Sequence, residues 1–328
     1  MELELTSKQI KDKHNRLFYE KPKASQMHVF NRAFRFGNST TQTHCNDLVH
    51  ILQNLDANKK PKIVGLLCDN GPDFNPASLL VTYYMGQLWK DKNLDQLIIC
   101  SYAPRSSKFN PIEIAWGTLS TALAQITLVS DHTKYNFKEN TEELKKMFEQ
   151  ALNELKSIWK ETKYSGKKVD CINVLPNEEE KPYNNYADIK DAFYHGRNSE
   201  NHVLCKAEMQ FLLNHCIKRP YYLHFKKCQS ESCAYCSANL PENLQALELL
   251  KDFQDQLPLP ILLKEYYNGE HYPSFLDLRN NKELFNLYID NLKKITEEKK
   301  KNSKICLRCG WFFDSNSDRT KHNRYCKK

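Results

Sequence analysis

Four residues near the C-terminus combine the residue types and the spacing of a zinc site. They form the pattern Cys-x2-Cys-x12-His-x3-Cys, made by Cys306, Cys309, His322 and Cys326. Zinc prefers a tetrahedron of such ligands, at about 2.3 Å from sulfur and about 2.0–2.1 Å from imidazole nitrogen. Because a segment this short cannot bury enough surface to fold alone, metal binding would supply most of its folding free energy. The pattern predicts a small zinc finger from Cys306 to Cys326.

This segment resembles the ββα zinc fingers that hold their ion with two cysteines and two histidines. Phe313 occupies the core aromatic position of that family. Cys326 replaces the last histidine, an exchange that zinc tolerates. Arg319 stands where the family usually has a core leucine, so we expect the helix of this finger to pack less tightly.

The same resemblance implies a role in nucleic-acid binding. In the docking geometry of the family, Ser315, Asp318 and Lys321 would face DNA bases, and one finger would cover about 3 base pairs. The segment 304–328 carries seven Lys and Arg against two Asp, and its net charge of +5 favours contact with phosphates. A finger that binds a protein partner is an equally open interpretation.

A second group of candidate metal ligands lies within residues 202–240. Cys233 and Cys236 form a Cys-x2-Cys turn of the kind that chelates one ion, and Cys228 can supply a third thiolate. The fourth ligand would be His224, which is nearer in sequence, or His215, at the end of a preceding predicted helix. The alternative is a set of reduced cysteines that only pack in the interior. The spacing favours zinc here and leaves the fourth ligand open.

Two carboxylates stand where α/β proteins place their chemistry. Asp69 directly follows the apolar run Lys62–Cys68, which predicts a buried strand, and Glu113 lies in the first turn of a helix predicted from Ile112. Two carboxylates at such positions, together with a third, can hold two divalent ions about 3.5–4 Å apart, which would activate a water or a 3′-hydroxyl. In the alternative interpretation, Asp69 only caps a turn and Glu113 only caps a helix.

The segment Asn110-Pro-Ile-Glu-Ile-Ala-Trp116, together with Asp69 after its strand, resembles the mariner-like superfamily of transposases. These are RNase H-like enzymes that cut and join DNA with an Asp-Asp-Glu triad of metal ligands. The resemblance covers roughly residues 26–128. It implies that Asp69 is the second aspartate of the triad and Glu113 its glutamate. It also implies a DNA partner, and Mg²⁺ as the cofactor if the core is active.

The first aspartate of that triad has no counterpart in this sequence. It would lie on the first strand of the core, and only 68 residues precede Asp69. None of the acidic residues among them falls in a suitable apolar strand, and Asp47 falls on a predicted helix. The 43 residues between Asp69 and Glu113 are also more than is common in that superfamily. We expect a partial core, either truncated or domesticated, that is catalytically inactive because it lacks one metal carboxylate.

Strands and helices alternate in the segment that would position these carboxylates. Buried strands are predicted at Lys62–Cys68 and Gln96–Cys100, with a helix from Ser78 to Trp89 between them. This order predicts a parallel pair with a right-handed crossover. Helical spacing of apolar residues continues over 206–216 and 282–292, and the charge run 293–304 is typical of a linker.

The predicted fold class is α/β, in three regions. We predict a partial RNase H-like transposase core over residues 1–130 and a mostly helical region with the Cys/His cluster over residues 131–295. A linker and the C-terminal ββα zinc finger would follow over residues 296–328. A chain of 328 residues is long enough for two or three such units.

Composition narrows the class of protein further. The content of 40% hydrophobic and 11% aromatic residues argues against disorder, and no apolar run reaches the about 18 residues of a membrane-spanning helix. The N-terminus lacks the features of a secretory signal, so the 12 cysteines would meet a reducing compartment and favour metal over disulfides. We expect a nuclear protein without a membrane partner.

The metal-ligand patterns predict a zinc-binding protein, and the resemblance to mariner-like transposases implies a transposon-derived protein that binds DNA. The net charge of +8 adds only a mild attraction to polyanions, because Lys-rich faces are also ordinary solvated surface. Two alternatives stay open. One is an active metal-dependent DNA transposase or nuclease whose third carboxylate comes from another position. The other is a protein-interaction module in which zinc only stabilises the fold.

Overall fold

The computed structural model describes residues 9–11, 17–19, 26–33, 39–56, 60–69, 71–102, 111–128, 142–164, 166–175, 182–195, 200–219, 221–228, 230–242, 275–301, 317 and 319–320. Within them, α-helices are combined with small β-sheets, so the predicted α/β class is confirmed. Contacts divide the chain into two compact units, a first made of Met1–Asn38 with Pro111–Glu179 and a second made of Ser39–Asn110 with Glu180–Lys328. This division differs from the three consecutive regions that the sequence predicts, because each unit combines segments that are distant in sequence.

The strands, in chain order, are β1 (Gln9–Lys11), β2 (Leu17–Tyr19), β3 (His28–Asn31), β4 (Ile63–Cys68), β5 (Gln96–Ser101), β6 (Lys163–Tyr164), β7 (Lys167–Lys168), β8 (Asp170–Asn173), β9 (Cys216–Arg219) and β10 (Tyr222–Lys226). The helices are α1 (Thr41–Gln53), α2 (Leu79–Asp91), α3 (Pro111–Ala122), α4 (Glu142–Glu161), α5 (Tyr186–His195), α6 (Glu200–Asn214), α7 (Ala234–Ala238), α8 (Phe275–Asn280) and α9 (Lys282–Lys301). None of the helices within the described ranges is both long and apolar enough to cross a membrane.

The second unit is built on a four-stranded sheet with the order β4-β5-β10-β9. Strands β4 and β5 are parallel, with Ile63 opposite Gln96, so the predicted parallel pair is confirmed. Strand β10 is antiparallel to both β5 and β9. The prediction of helix up to Cys216 was wrong at its end, since α6 stops at Asn214 and β9 begins at Cys216. Short apolar runs do not distinguish helix from strand, and here the antiparallel pairing of β9 with β10 decides.

Helix α2 forms the centre of the second unit. Its N-terminus is capped by Ser78, whose hydroxyl oxygen accepts the backbone N–H of Leu80 at 3.1 Å. The helix contacts α1, α5, α6, β5 and β10. Gly86 allows α2 to approach α6 and β10 closely, because a Cβ there would lie 2.9 Å from both Cδ atoms of Leu212 and 3.1 Å from Cε1 of Phe225.

The helical pair α8 and α9 has a small apolar core of its own, formed by Leu278, Leu284 and Tyr288. Helix α9 continues to Lys301, so the prediction of a linker from residue 293 was wrong over residues 293–301. The physical reason is composition, because Lys and Glu are good helix formers and residues 282–301 contain neither Gly nor Pro.

The first unit pairs two segments across more than a hundred residues. Strand β3 runs parallel to β8, with His28 opposite Asp170, and β8 packs on α4. The indole N–H of Trp159 on α4 donates a 3.2 Å hydrogen bond to the carbonyl oxygen of Leu119 on α3. Strands β1 with β2 and β6 with β7 form separate antiparallel pairs. Strands β6 to β8 and β9 to β10 show that the region predicted as mostly helical also supplies strands to both units.

Candidate metal centre

One group of side chains in the second unit has the composition of a metal site. It consists of His215, Cys228, Cys233 and Cys236, which we call the metal group. One ligand atom from each lies within 4.8 Å of the others. Across the described residues, no other set of three or more His, Cys, Asp or Glu side chains comes this close together. The metal group could hold a metal ion.

His215 lies between the end of α6 and the start of β9. Its ring Nδ1 is 2.8 Å from the carbonyl oxygen of Phe211, one helical turn earlier. Because a carbonyl oxygen only accepts hydrogen bonds, Nδ1 carries a proton, and Nε2 is the ring nitrogen that can bind a metal. Nε2 is 3.4 Å from Sγ of Cys233. The helix end therefore directs the second ring nitrogen toward the cysteines, as is usual for ligating histidines.

Aromatic rings fix the position of the imidazole. The ring centre of His215 lies 4.3 Å from that of Phe211 and 5.5 Å from that of Trp89. Tyr235 on α7 packs against the same two rings, at 5.5 Å from Phe211 and 5.4 Å from Trp89. Its hydroxyl donates a 2.9 Å hydrogen bond to the carbonyl oxygen of Lys90. The metal group is thereby packed against α2.

The three cysteines come from the segment that follows β10. Cys228 lies two residues after the end of β10, Cys233 directly precedes α7, and Cys236 lies on α7. The backbone N–H of Cys228 donates to Sγ of Cys236 at 3.3 Å. The turn before α7 is closed by a 3.1 Å hydrogen bond from the N–H of Cys233 to the carbonyl oxygen of Ser230. Local backbone bonds therefore bring the sulfur atoms of this segment together.

One distance within the metal group matches the spacing expected in a tetrahedral zinc centre. Zinc–sulfur distances of about 2.3 Å and zinc–nitrogen distances of about 2.0–2.1 Å place sulfur and nitrogen ligands about 3.5 Å apart. The 3.4 Å between Cys233 Sγ and His215 Nε2 matches this separation. Four protein ligands leave no coordination position for a water molecule, which is the arrangement of structural rather than catalytic zinc sites.

The two thiols of the Cys-x2-Cys turn have different pKa values. Burial acts to raise the pKa of Cys233, but hydrogen bonds with the backbone and side chain of Cys236, and with the side chains of His215 and Cys228, lower it to about 7. Burial raises the pKa of Cys236 to about 12, against a hydrogen bond from the backbone of Cys228. The metal group thus contains one sulfur that loses its proton near neutral pH. A bound divalent cation would favour deprotonation of the other sulfurs as well.

His224, the other candidate for the fourth ligand, is not part of the metal group. It lies on β10, where its side chain is buried. Its Nδ1 is 2.9 Å from the hydroxyl of Tyr222 and its Nε2 is 3.0 Å from Oε1 of Gln96. Both ring nitrogens therefore have protein partners. The structure brings His215 to the three cysteines instead.

The two predicted catalytic carboxylates lie in different units. Asp69 is exposed and directly follows β4, in the second unit. Glu113 is exposed and lies in the first turn of α3, in the first unit. Neither belongs to the metal group. Asp47 lies on α1, as the sequence predicts. A two-metal site at Asp69 and Glu113 stays a prediction.

Most of the predicted C-terminal zinc finger lies outside the described residues. This holds for its predicted ligands and for the residues predicted to face DNA bases, which are Cys306, Cys309, His322, Cys326, Ser315, Asp318 and Lys321. The finger and its nucleic-acid contacts therefore stay predictions.

Comparison with known proteins finds no relative of this chain. No protein-family profile matches it, and no curated protein or solved structure matches it. The interpretation of the metal group therefore depends on its geometry alone.

Sequence reasoning missed the residues that surround the metal group. A backbone carbonyl such as that of Phe211 carries no signal of its own in a sequence. Lys227 and Asp95 form a buried ion pair beside the group, with Nζ and Oδ1 2.8 Å apart. A lysine between an apolar strand and Cys228 is the one signal that could have drawn attention to this pair.

Proposed function

We propose that this chain is a transposon-derived zinc protein that binds DNA without cutting it and acts in the nucleus. The metal group carries the zinc part of this proposal, because its four ligand atoms lie within 4.8 Å of one another. Thiolate sulfur and imidazole nitrogen are the ligands of structural zinc sites. For the C-terminal pattern from Cys306 to Cys326 we propose a second zinc ion, bound by a ββα finger.

Zinc in the metal group has a structural role. It joins the end of α6 through His215, the segment after β10 through Cys228 and Cys233, and α7 through Cys236. An unfolded chain does not hold four ligands in this arrangement, so the free energy of metal binding adds to the stability of the folded state. Chemistry at this zinc is not expected, since all four ligands come from the protein.

For the DNA part, we propose that β4, α2 and β5 descend from the RNase H-like core of a mariner-like transposase. Asp69 follows β4, which runs parallel to β5, and the carboxyl end of a parallel strand is where such sheets place their chemistry. Glu113 follows Asn110-Pro-Ile in the first turn of α3. A two-metal site needs a third carboxylate, for which the sequence offers no match, so we expect DNA binding without cleavage.

Zinc content of the purified full chain tests the first part. We expect two zinc ions per chain, of which Cys233→Ser removes one and Cys309→Ser removes the other. Cys68→Ser serves as the matched control, because Cys68 lies in β4 and outside both ligand sets. A zinc content unchanged by Cys233→Ser would contradict the proposed role of the metal group.

Fluorescence anisotropy of a labelled DNA duplex tests the second part. We expect binding that weakens steeply between about 50 and 200 mM salt, because phosphate contacts release counterions. Cys309→Ser should weaken this binding and Cys68→Ser should not. A chain that shows no affinity for DNA, and that binds a protein with an affinity independent of salt, would support the protein-interaction alternative.

A plasmid-nicking assay with Mg²⁺ addresses the enzymatic alternative. We expect no nicking. Nicking that is abolished by Glu113→Gln, and retained in the control Lys145→Gln on α4, would show an active transposase or nuclease core. Both residues are exposed or half-buried side chains of helices in the first unit.

A further inference from the structure

A buried ion pair lies beside the metal group. Nζ of Lys227 is 2.8 Å from Oδ1 of Asp95, and the two side chains are 1% and 0% exposed. Lys227 directly precedes Cys228. Nζ of Lys227 also donates to the carbonyl oxygen of Asn93 at 3.4 Å. Because the desolvation of two buried charges offsets most of their attraction, stability alone does not account for such a pair.

Asp95 also bonds to the far side of the segment that carries the cysteines. Its Oδ2 accepts a 2.9 Å hydrogen bond from the backbone N–H of Glu242. The two oxygens of one carboxylate therefore hold residues 227 and 242, and the three cysteine ligands lie between these points. We call residues 227–242 the ligand segment.

The sheet fixes the carboxylate that makes these two bonds. Asp95 directly precedes β5, and its backbone N–H donates a 2.7 Å hydrogen bond to the carbonyl oxygen of Lys62, just before β4. Its own carbonyl oxygen accepts the N–H of Lys227 at 3.1 Å. Both ends of the ligand segment are thus attached to the start of the parallel strand pair.

We propose that Asp95 is a positioning residue for the metal group, which holds both ends of the ligand segment so that its three cysteines are arranged before the metal binds. This role rests on the proposed function, because it takes the metal group to bind zinc. Partners outside the ligand set commonly set metal affinity in this way, and their loss costs about 10–100-fold. A ligand segment that is already ordered loses less conformational freedom when the metal binds.

Two variants at Glu242 distinguish the effect of its backbone hydrogen bond to Asp95 from the effect of its side chain. Glu242→Pro removes the N–H that Asp95 accepts, whereas the matched control Glu242→Ala keeps it. Both variants lose the exposed contact of the Glu242 carboxylate with Lys62 at 3.2 Å, so that loss cancels between them. The full chain carries Cys309→Ser throughout, so that the proposed finger binds no zinc.

The measurements are the affinity for Zn²⁺, by competition with a coloured chelator, and the rate at which the chelator removes zinc. We expect Glu242→Pro to bind zinc about tenfold more weakly and to release it faster, with Glu242→Ala within twofold of the parent. The absorption bands of the Co²⁺ form should stay at the same wavelengths, because the four ligands are unchanged. Tryptophan fluorescence must show that each variant is fully folded under the conditions of the assay.

A second comparison tests the other end of the ligand segment. The double variant Asp95→Asn with Lys227→Met removes both buried charges together, and Lys227→Arg keeps the ion pair. We expect the double variant to release zinc about tenfold faster and Lys227→Arg to behave like the parent. Glu208→Gln is a control for charge removal on α6, since Glu208 accepts a hydrogen bond from Gln87 outside the ligand segment.

The outcomes distinguish this inference from the proposed function. A parent chain that binds no zinc contradicts the proposed function. A parent that binds zinc, with folded Glu242→Pro and Glu242→Ala equal in affinity and release rate, contradicts the positioning role of Asp95 alone. If the double variant does not fold, the comparison of Glu242→Pro with Glu242→Ala tests the positioning role by itself, because both of these variants leave the buried ion pair intact.

Discussion

The ring of His215 donates its Nδ1 proton to the carbonyl oxygen of Phe211 over 2.8 Å. This hydrogen bond leaves Nε2 to face Sγ of Cys233 at 3.4 Å. A histidine that must first change its tautomer or turn its ring binds metal more weakly, so a fixed orientation favours the metal-bound state. The carbonyl at the end of α6 therefore acts as the outer partner of the proposed zinc site.

Replacing His215 should remove most of the zinc affinity of the metal group. In the full chain with Cys309→Ser, we expect His215→Ala to weaken Zn²⁺ binding by at least tenfold, because one of four ligands is lost. His224→Gln is the matched control, since Gln can still bond with Tyr222 and Gln96 and His224 is outside the metal group. Chelator competition measures both. Weaker binding in His224→Gln alone would instead assign the fourth ligand to His224.

Removing the metal should lower the stability of the second unit. A ligand that binds only the folded state at 100 times its dissociation constant adds about 2.7 kcal/mol to the free energy of unfolding. We therefore expect excess chelator to lower the melting temperature of the Cys309→Ser chain. The chain with Cys233→Ser added should melt at the lower temperature with or without chelator. An unchanged melting temperature of the Cys309→Ser chain would show that the metal group contributes nothing to stability.

The metal-free chain should have one cysteine that reacts near neutral pH. Hydrogen bonds lower the pKa of Cys233 to about 7 against the effect of burial, so its thiolate forms as the pH rises through that value. We expect alkylation of Cys233 by iodoacetamide to rise with a midpoint near pH 7, and to be slow below it because the thiol is then protonated. Cys216, whose pKa burial raises to about 11, is the internal control. Mass spectrometry of the peptides reports both sites, and zinc should protect Cys233.

Two glycines in helices should respond in opposite directions to a methyl group. Gly86→Ala places a Cβ 2.9 Å from Leu212, which is fully buried, so we expect a loss of about 1–2 kcal/mol in the free energy of unfolding. Gly117→Ala on α3 meets nothing within 4 Å and should gain about 0.5–1 kcal/mol from helix propensity. Urea denaturation measures both. Equal effects at the two sites would show that the packing of α2 against α6 is looser than described.

Local patterns in the sequence were sufficient for several elements. The apolar runs at Ile63–Cys68 and Gln96–Ser101 and the helix between them have the bounds expected to within two residues. The Cys-x2-Cys spacing identified Cys233 and Cys236, since a tight turn between two thiolates is a property of neighbouring residues. The parallel pairing of β4 and β5 also followed, because a strand, a helix and a strand in close succession have few other arrangements.

The pairing of strands that are distant in sequence could be known only from the tertiary structure. Strand β10 pairs with β5 across more than a hundred residues, and the first unit joins β3 to β8 at a similar distance. The charged segment after residue 292 was assigned to a linker, although its residue types also favour the helix that forms. No local pattern encodes which distant strand a short apolar run will join.

The sequence by itself determined that three cysteines at 228, 233 and 236 stand close enough along the chain to share an ion. Only the tertiary structure decided that His215 joins them and that His224 does not. The spacing of ligands is a property of the chain, whereas the direction of a ring depends on its partners, which here are the Phe211 carbonyl and the ring of Trp89. The attachment of both ends of the ligand segment to Asp95 is likewise invisible in the sequence, because its partners lie more than 130 residues further along the chain.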